Sequence, residues 1–230
     1  HLVVDFPEIA ELDMNPLIIH EGKPRALDAR VIVRPAEVSS PHHLVISPYP
    51  SQYEEKGVVT DGLELFIRPI QPEDASLLVE LFAELSQTSI YFRFFSLLRR
   101  LPRDMLVRFT QIDYDREIAL IALSSVEGKE RILAVARVIG QIDGKTGEFA
   151  VLVGDPWQGK GVGRELLQRC LRIAKERELE TIYGLVLKEN TGMLRLARKL
   201  GFQKRWLAGE GAFELTMDLS SILQQNTKEM

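Results

Sequence analysis

The residues best placed to do chemistry lie in one stretch, Val151-Leu152-Val153-Gly154-Asp155-Pro156-Trp157-Gln158-Gly159-Lys160-Gly161-Val162-Gly163-Arg164. An apolar β-type run enters a glycine-rich turn, and the turn leads into a segment with helical apolar spacing. Without Cβ atoms, the glycines let consecutive backbone N–H groups point into one concavity. The helix start adds partial positive charge, and together they make a seat for a diphosphate. Two familiar phosphate loops do not fit. A Walker loop needs Lys and then Ser or Thr after its last glycine, whereas Arg164-Glu165 follows Gly163. A dinucleotide fingerprint needs a third glycine three residues after Gly163, where Leu166 stands, and no parallel βαβ pair surrounds it. The competing reading, a plain glycine-rich turn, is disfavoured by the helix that follows.

Strands and helices must hold this loop in place. Leu63–Arg68 reads as a strand. Gln71-Pro72-Glu73-Asp74 starts a helix, because Pro lacks only a hydrogen unpaired there anyway and the acids suit the positive helix end. Leu77, Leu78, Leu81, Phe82 and Leu85 form its buried stripe. More helix is expected around Tyr91–Phe95 and Arg103–Gln111. Glu117–Val126, Ile132–Gln141 and Thr146–Val153 read as an antiparallel meander, broken by turn chemistry at Glu127-Gly128-Lys129 and Ile142-Asp143-Gly144-Lys145. Gly161–Arg177 is helical, with Val162, Leu166, Cys170 and Ile173 on one face. Thr181–Leu187 is a strand. Asn190–Leu200 is a helix stopped by Gly201, and Phe202–Leu207 and Phe213–Leu219 close the domain as strands. This order predicts an α+β fold around one mixed sheet.

The bulk numbers set outer limits. The chain has 230 residues, room for one large domain or one domain plus a fragment. A formal net charge of −4 gives no reason to expect nucleic acid. No apolar run is long enough to cross a bilayer as a helix. A single cysteine, Cys170, excludes an intrachain disulfide and fits a reducing, cytoplasmic compartment. The first residues, His1-Leu2-Val3-Val4-Asp5, open within structured-looking sequence, so the chain reads as a fragment of a longer protein. Residues 1–38 carry short β-rich segments with a hairpin-like return at Gly22-Lys23-Pro24. Residues 39–61 are rich in Pro and Ser and read as a linker, and residues 220–230 as a tail.

Two separated segments carry a family resemblance. Gln158-x-x-Gly161-x-Gly163 after a strand, and Asn190-x-x-Met193 followed by Leu200-Gly201-Phe202, resemble the acetyl-CoA motifs of GNAT N-acetyltransferases in order and spacing. The likeness covers residues 62–219 and implies the GNAT fold, a mixed, mostly antiparallel sheet flanked by helices, with acetyl-CoA as co-substrate. It implies that the backbone amides of Gln158, Gly159, Lys160, Gly161, Val162 and Gly163, up to Arg164, hold the pyrophosphate. Val151, Leu152 and Val153 would pair their backbone with the pantetheine arm. Asn190, with Met193, would stand beside the thioester end or the pantetheine; Asn190 alone also reads as a helix N-cap.

Acetyl transfer to an amine needs the amine neutral, and a lysine of pKa about 10.4 is almost wholly protonated at pH 7. A positioned carboxylate can take that proton. Glu148 opens the strand that leads into the cofactor arm, where the resemblance places a base; a solvated strand-end charge is the plainer alternative. Glu117 and Asp143 are weaker candidates. Many family members carry a Tyr seven residues after the Asn, suited to protonate the thiolate, but Ala197 stands there and leaves the acid unassigned. Cys170 lies on an apolar helix face, so direct attack in a ternary complex is expected rather than a covalent intermediate. The aromatic run Ser86–Phe95 reads as core packing, and resembles a segment bordering the acceptor groove in bacterial protein acetyltransferases.

The front end resembles the last part of the ATP-grasp region of ADP-forming acyl-CoA synthetases, through Glu11-Leu12-Asp13-Met14-Asn15-Pro16-Leu17 and Ala26-Leu27-Asp28-Ala29-Arg30. There Asn15 and Asp28 would match magnesium ligands, although about forty residues cannot form a nucleotide cleft and no metal is expected on this chain alone. A synthetase-like region followed by a GNAT domain is the arrangement of bacterial protein-lysine acetyltransferases, which act on proteins such as acyl-CoA synthetases. Two other functions fit the same residues: a small-molecule amine acetyltransferase, and a non-catalytic acetyl-CoA-sensing module.

Overall fold

The computed structural model describes residues 2–40, 43–44 and 47–220. The predicted tail lies, from residue 221 on, outside the described residues. The chain divides into two units, His1–Pro48 and Tyr49–Met230.

The first unit is small and unlayered. It holds α1 (Leu2–Asp5), β1 (Ile9–Asp13), β2 (Leu17–His20), β3 (Lys23–Ala26) and β4 (Arg30–Val33). β1 pairs with β4, and β2 with β3, both antiparallel. Glu21 and Gly22 turn the second hairpin with positive φ at both central positions, the geometry that matches strand twist. None of residues 2–40 is buried; Leu17, Ile19 and Val33 are all exposed.

The second unit contains β5 (Glu55–Thr60), β6 (Leu63–Pro69), α2 (Ala75–Ala83), α3 (Gln87–Phe94), α4 (Arg103–Thr110), β7 (Glu117–Val126), β8 (Lys129–Gly140), β9 (Thr146–Val153), α5 (Val162–Glu176), β10 (Thr181–Leu187), α6 (Thr191–Leu200), β11 (Gln203–Leu207) and β12 (Ala212–Asp218). Its eight strands form one sheet in the order β11-β12-β10-β9-β8-β7-β6-β5. Only β9 and β10 run parallel; the other neighbours are antiparallel. This is the α+β mixed sheet that the element order predicts.

Two local readings change. Residues 39–61 are not all linker: a 3-10 turn at Ser51–Tyr53 precedes β5, an edge strand of the sheet. The run is short and its alternation weak, with only Val58 and Thr60 half-buried, so polar composition outweighs the β signal until β6 is there to pair with. The expected helix after Gln71 opens as a 3-10 turn, Pro72–Asp74, before α2. Asp74 is committed elsewhere, accepting from the Gln71 amide at 2.7 Å and from both guanidinium arms of Arg68.

The core lies on both sides of the sheet. On one side α5 buries Val162, Leu166, Leu167, Cys170 and Ile173 against β6–β9, joined by Ala197 of α6. Each such side chain contributes roughly 1.5–3 kcal/mol. On the other side α2 and α4 cover Ala119, Ile121, Leu123 and Val135. Alternation along β9 divides its side chains between the two. Phe149, Val151 and Val153 pack toward α5, while Leu152 packs with α2 and α3.

Candidate active site

Three features converge on β9. The first is a split in the sheet. β9 and β10 are in register only at Thr181↔Thr146, Ile182↔Gly147 and Tyr183↔Glu148. Beyond that point β9 pairs only with β8 as far as Val153, and β10 only with β12 as far as Leu187. The edges of β9 and β10 that face each other therefore present backbone donors and acceptors in mid-sheet. The packing at the apex is close. A Cβ on Gly184 would stand 2.7 Å from the ring of Phe149, which itself lies tilted against Phe202 at 5.0 Å between centroids. The absence of a side chain at Gly184 makes room for the Phe149 ring where the two strands part.

The second feature is the loop that follows β9. A 3-10 turn, Asp155–Trp157, leads to Gln158 and to Gly161, the left-handed N-cap of α5 with φ 84°. Thr60 of β5 donates to the Lys160 carbonyl at 3.0 Å, and any Cβ at Gly161 would stand 2.5 Å from its hydroxyl oxygen. Gly163 lets α5 approach the strand, since a Cβ there would meet Val153 at 2.9 Å. The first helix amide with a backbone acceptor is that of Glu165, which bonds Gly161. Among the described residues, the amides of Gly159 to Arg164 donate to nothing in the protein. These are the orphan donors of a helix start, extended backwards by the turn. Lys160 lies over the Trp157 ring at 4.9 Å, and Arg164 is exposed.

Side chains from α3 brace this loop. Asp155 accepts from the Ser86 amide at 3.0 Å and from the Ser89 hydroxyl at 2.6 Å, and the Gln158 amide group reaches Ser89, Asp155 and the Val153 carbonyl. Burial pulls the Asp155 carboxyl upward, but the bonds from Ser86 and Ser89 outweigh it and hold it below the usual range.

The third feature is a charged cluster on the α2–α4 face. Glu148 is exposed at the apex of the split, in register with Tyr183 on β10. Burial, and then the Glu148 charge, push the Tyr183 phenol above its ordinary pKa, so it stays protonated at neutral pH. Arg137 is 4% exposed, bonds Glu117 at 2.6 Å and lies over Phe109 at 4.6 Å. Burial lifts the Glu117 carboxyl and outweighs the pull of Arg137. Arg93 of α3 faces the rings of Phe94 and Phe109; burial, then Arg137, bring it down to about 10, with Glu148 and Glu117 acting against that. A small cavity of about 20 Å³ is lined by Arg93, Phe94, Leu101, Arg137, Ala150 and Leu152, with others.

The predicted residues fall into place unevenly. Glu148, Val151, Leu152, Val153 and Gln158 to Arg164 all come to the split and its loop. Asn190 caps α6, its Oδ1 accepting from the Met193 amide at 3.0 Å; the N-cap reading holds for it. Glu117 is clamped to Arg137, and Asp143 caps the β8–β9 turn, accepting from Lys145, Thr146 and its hydroxyl. Cys170 is fully buried, bonded toward the Ala136 carbonyl, with its thiol pushed up by burial to about 12, an inert state. The aromatic run divides: Phe94 packs on Phe82 and Phe109, while Tyr91 and Phe95 stay exposed. Sequence reasoning missed Thr60, Phe149, Tyr183 and Gly184. Ser86-x-x-Ser89 ahead of a helix was a legible cap signal, and Ser86 does cap α3.

In the first unit Asn15 and Asp28 each lie two residues past the Asp13↔Arg30 pair, at the same end of the β1–β4 ladder, and both are exposed. Two such groups supply at most part of a magnesium shell. Among the described residues no cluster of three or more His, Cys, Asp or Glu is placed to hold a metal ion.

A split between two strands, lined by unpaired backbone groups and ending at an unsatisfied helix start, can seat an extended, backbone-like arm that ends in an anion. Comparison with known proteins agrees. A family model described as acetyltransferase (GNAT) domain matches residues 64–203, and one described as ATP-grasp domain matches residues 1–33. The chain belongs to the GNAT acetyltransferase family and is, by that membership, an acetyl-CoA-dependent acyltransferase. An acetyltransferase of Pseudomonas aeruginosa is 27% identical over 62% of this chain and 76% of its own length. Acetyltransferase Pat of Mycolicibacterium smegmatis is 27% identical over 68% of this chain, which spans 44% of that relative. Among solved structures, the GNAT domain of S. lividans PAT superposes with a TM-score of 0.67 at 29% identity, over 74% of this chain and 99% of that domain.

Proposed function

We propose that this chain transfers the acetyl group of acetyl-CoA to the side-chain amine of a lysine on another protein. The observation that carries the reading is the split between β9 and β10, which runs from the Glu148–Tyr183 apex to the unsatisfied amides at Gly159–Arg164. From Glu148 to Val153 the strand spans about 16 Å, at roughly 3.3 Å per residue, a length suited to an extended pantetheine arm. With the pyrophosphate on the loop and the arm's amides bonded along β9, as a strand is added to a sheet, the thioester arrives beside Glu148 and Tyr183.

The steps then follow from these two groups. Glu148, directly or through water, takes the proton of the lysine ammonium and leaves a nucleophilic amine. The amine attacks the thioester carbon, the tetrahedral intermediate collapses, and the C–S bond breaks. Tyr183 gives its phenolic proton to the departing thiolate, and the second proton of the attacking nitrogen, lost as the amide forms, passes through water to replace it. Ala197 cannot take this part, because its methyl side chain has no proton to give; it is packed in the α5–α6 core. Asn190 acts by capping α6 at the edge of the cleft.

Protein lysine, rather than a small amine, is favoured by the likeness to the Pat proteins and by the open, exposed setting of Glu148. We also read residues 1–38 as the end of an ATP-grasp region in a larger synthetase-like protein, residues 62–219 as the GNAT domain, and acyl-CoA synthetases as acceptors. The test is incubation with acetyl-CoA and purified acyl-CoA synthetases, followed by mass-spectrometric mapping of acetyl-lysine. Site-specific acetylation is expected. Acetylation of small amines alone would overturn the protein acceptor.

A further inference from the structure

The segment between α3 and the end of α4 carries charge that the mechanism above does not use. Arg99, Arg100, Arg103 and Arg108 are all exposed. Among the described residues none of the four forms an ion pair, and one acid, Asp104, interrupts them. Apolar side chains are interleaved with them: Leu97 is 68% exposed and Val107 42%. Such a cluster runs against the chain as a whole, whose net charge is −4.

Its position is informative. Phe94, Leu101 and Phe109 bracket these arginines in sequence, and all three line the cavity beside Ala150 and Leu152. The charge of Arg108 reaches the active-site face, acting on both Glu117 and Arg137. Arg108 therefore stands near this face of β9, and the rest of the stripe, Arg99, Arg100 and Arg103, flanks Leu101 of the cavity wall, on the side from which the proposed acceptor reaches Glu148.

We propose that this stripe docks an acidic segment of the acceptor protein, so that the lysine acetylated is one flanked by Asp or Glu. The proposal rests on the protein-lysine reading and names its substrate class. Four like charges within ten residues repel one another, and carboxylates relieve that repulsion while matching the planar guanidinium fork. Leu97 and Val107 add apolar contact at the rim. A nucleic-acid face would need basic character spread along a groove, which a chain of net charge −4 does not offer. There is also a chemical consequence. Acidic neighbours favour the ammonium form of a lysine. Binding those acids to arginine cancels the effect at the moment Glu148 must remove the proton.

The test uses two fluorescein-labelled lysine peptides, one with Asp and Glu around the lysine and one with Asn and Gln in their places. Binding is read by anisotropy and acetylation by steady-state kinetics, on the wild-type chain and on the double variant Arg99→Glu, Arg103→Glu. Both positions are exposed, and circular dichroism checks the fold. The wild type should bind the acidic peptide about tenfold more tightly at low salt, with the advantage shrinking as salt is added. The variant should lose that preference through KM while kcat on the neutral peptide is kept. Equal binding of the two peptides, or an unchanged preference in the variant, overturns the proposal. So does tighter, stripe-dependent binding of a DNA duplex or of phosphatidylserine vesicles. Charge-dependent binding without acetyl transfer to any lysine peptide would uphold the docking surface and sink the protein-lysine reading instead.

Discussion

The two faces of β9 obey different rules. Toward α5, Phe149, Val151 and Val153 pack into an apolar cluster, and Gly163 lets helix and strand close together. Toward α2–α4, Glu148, Ala150 and Leu152 share their side of the sheet with Arg93, Arg137 and Glu117, two of the three buried or nearly so. One face fixes where the strand is; the other carries the groups proposed to act along it. Changes on the α5 face should therefore act on stability and cofactor position, and changes on the opposite face on proton transfer.

The largest effect should come from the charged face. Glu148→Gln keeps shape but cannot act as a base, so turnover on a lysine peptide should fall on the order of 10²–10⁴-fold with acetyl-CoA binding intact. The deficit should shrink as pH rises, because solvent then supplies more neutral amine. Tyr183→Phe should cost less, at the lower end of that range, since a CoA thiolate leaves readily. A full pH–rate profile of both variants separates the roles. Equal rates for wild type and Glu148→Gln near neutrality would dissolve the contrast between the faces.

Next in size is Gly184→Ala. The added methyl meets the Phe149 ring at 2.7 Å, and overpacking of this kind costs about 1–3 kcal/mol, measurable in urea. Gly184→Ala combined with Phe149→Leu should recover part of that loss. No recovery would mean that the close contact with the ring is not the source of the loss.

At the loop, Arg164→Glu places a negative charge beside the orphan amides without disturbing packing. Affinity for acetyl-CoA should drop about tenfold, in keeping with a charge at a helix terminus, and calorimetry reads it directly. The smallest effect concerns the brace. Asp155→Asn should lose about 1 kcal/mol or less at neutral pH, given the partial exposure of the site. The Asp155 pKa is depressed on folding. Its contribution is thus present above the unfolded carboxyl pKa and disappears as pH falls through the folded value. The gap between wild type and variant should close in acid.

The fold and the loop were legible in the sequence for a local reason. Period-two and helical spacing mark β7–β10, α5 and α6, and the Gln158–Gly163 run declares itself by glycine placement before a helix. Asn190 likewise announced a cap and proved to be one. Glu148 rests on its place at the head of the cofactor strand and on the resemblance, because alternation alone leaves its side of the strand open.

What the sequence determined by itself is what depends on near neighbours: which segments are strands, where helices begin, which loop leaves its amides unpaired, and that Cys170 is packing. Only the tertiary structure decided what depends on distant ones. Thr60 bonds the loop across a hundred residues of chain, Asp155 is held by serines of another helix, and Arg137 takes Glu117 from the next strand. At the split, the ring of Phe149 meets the missing side chain of Gly184 from strands separated by a helix. No periodicity encodes such contacts, since each is set by packing between elements whose spacing in sequence is arbitrary.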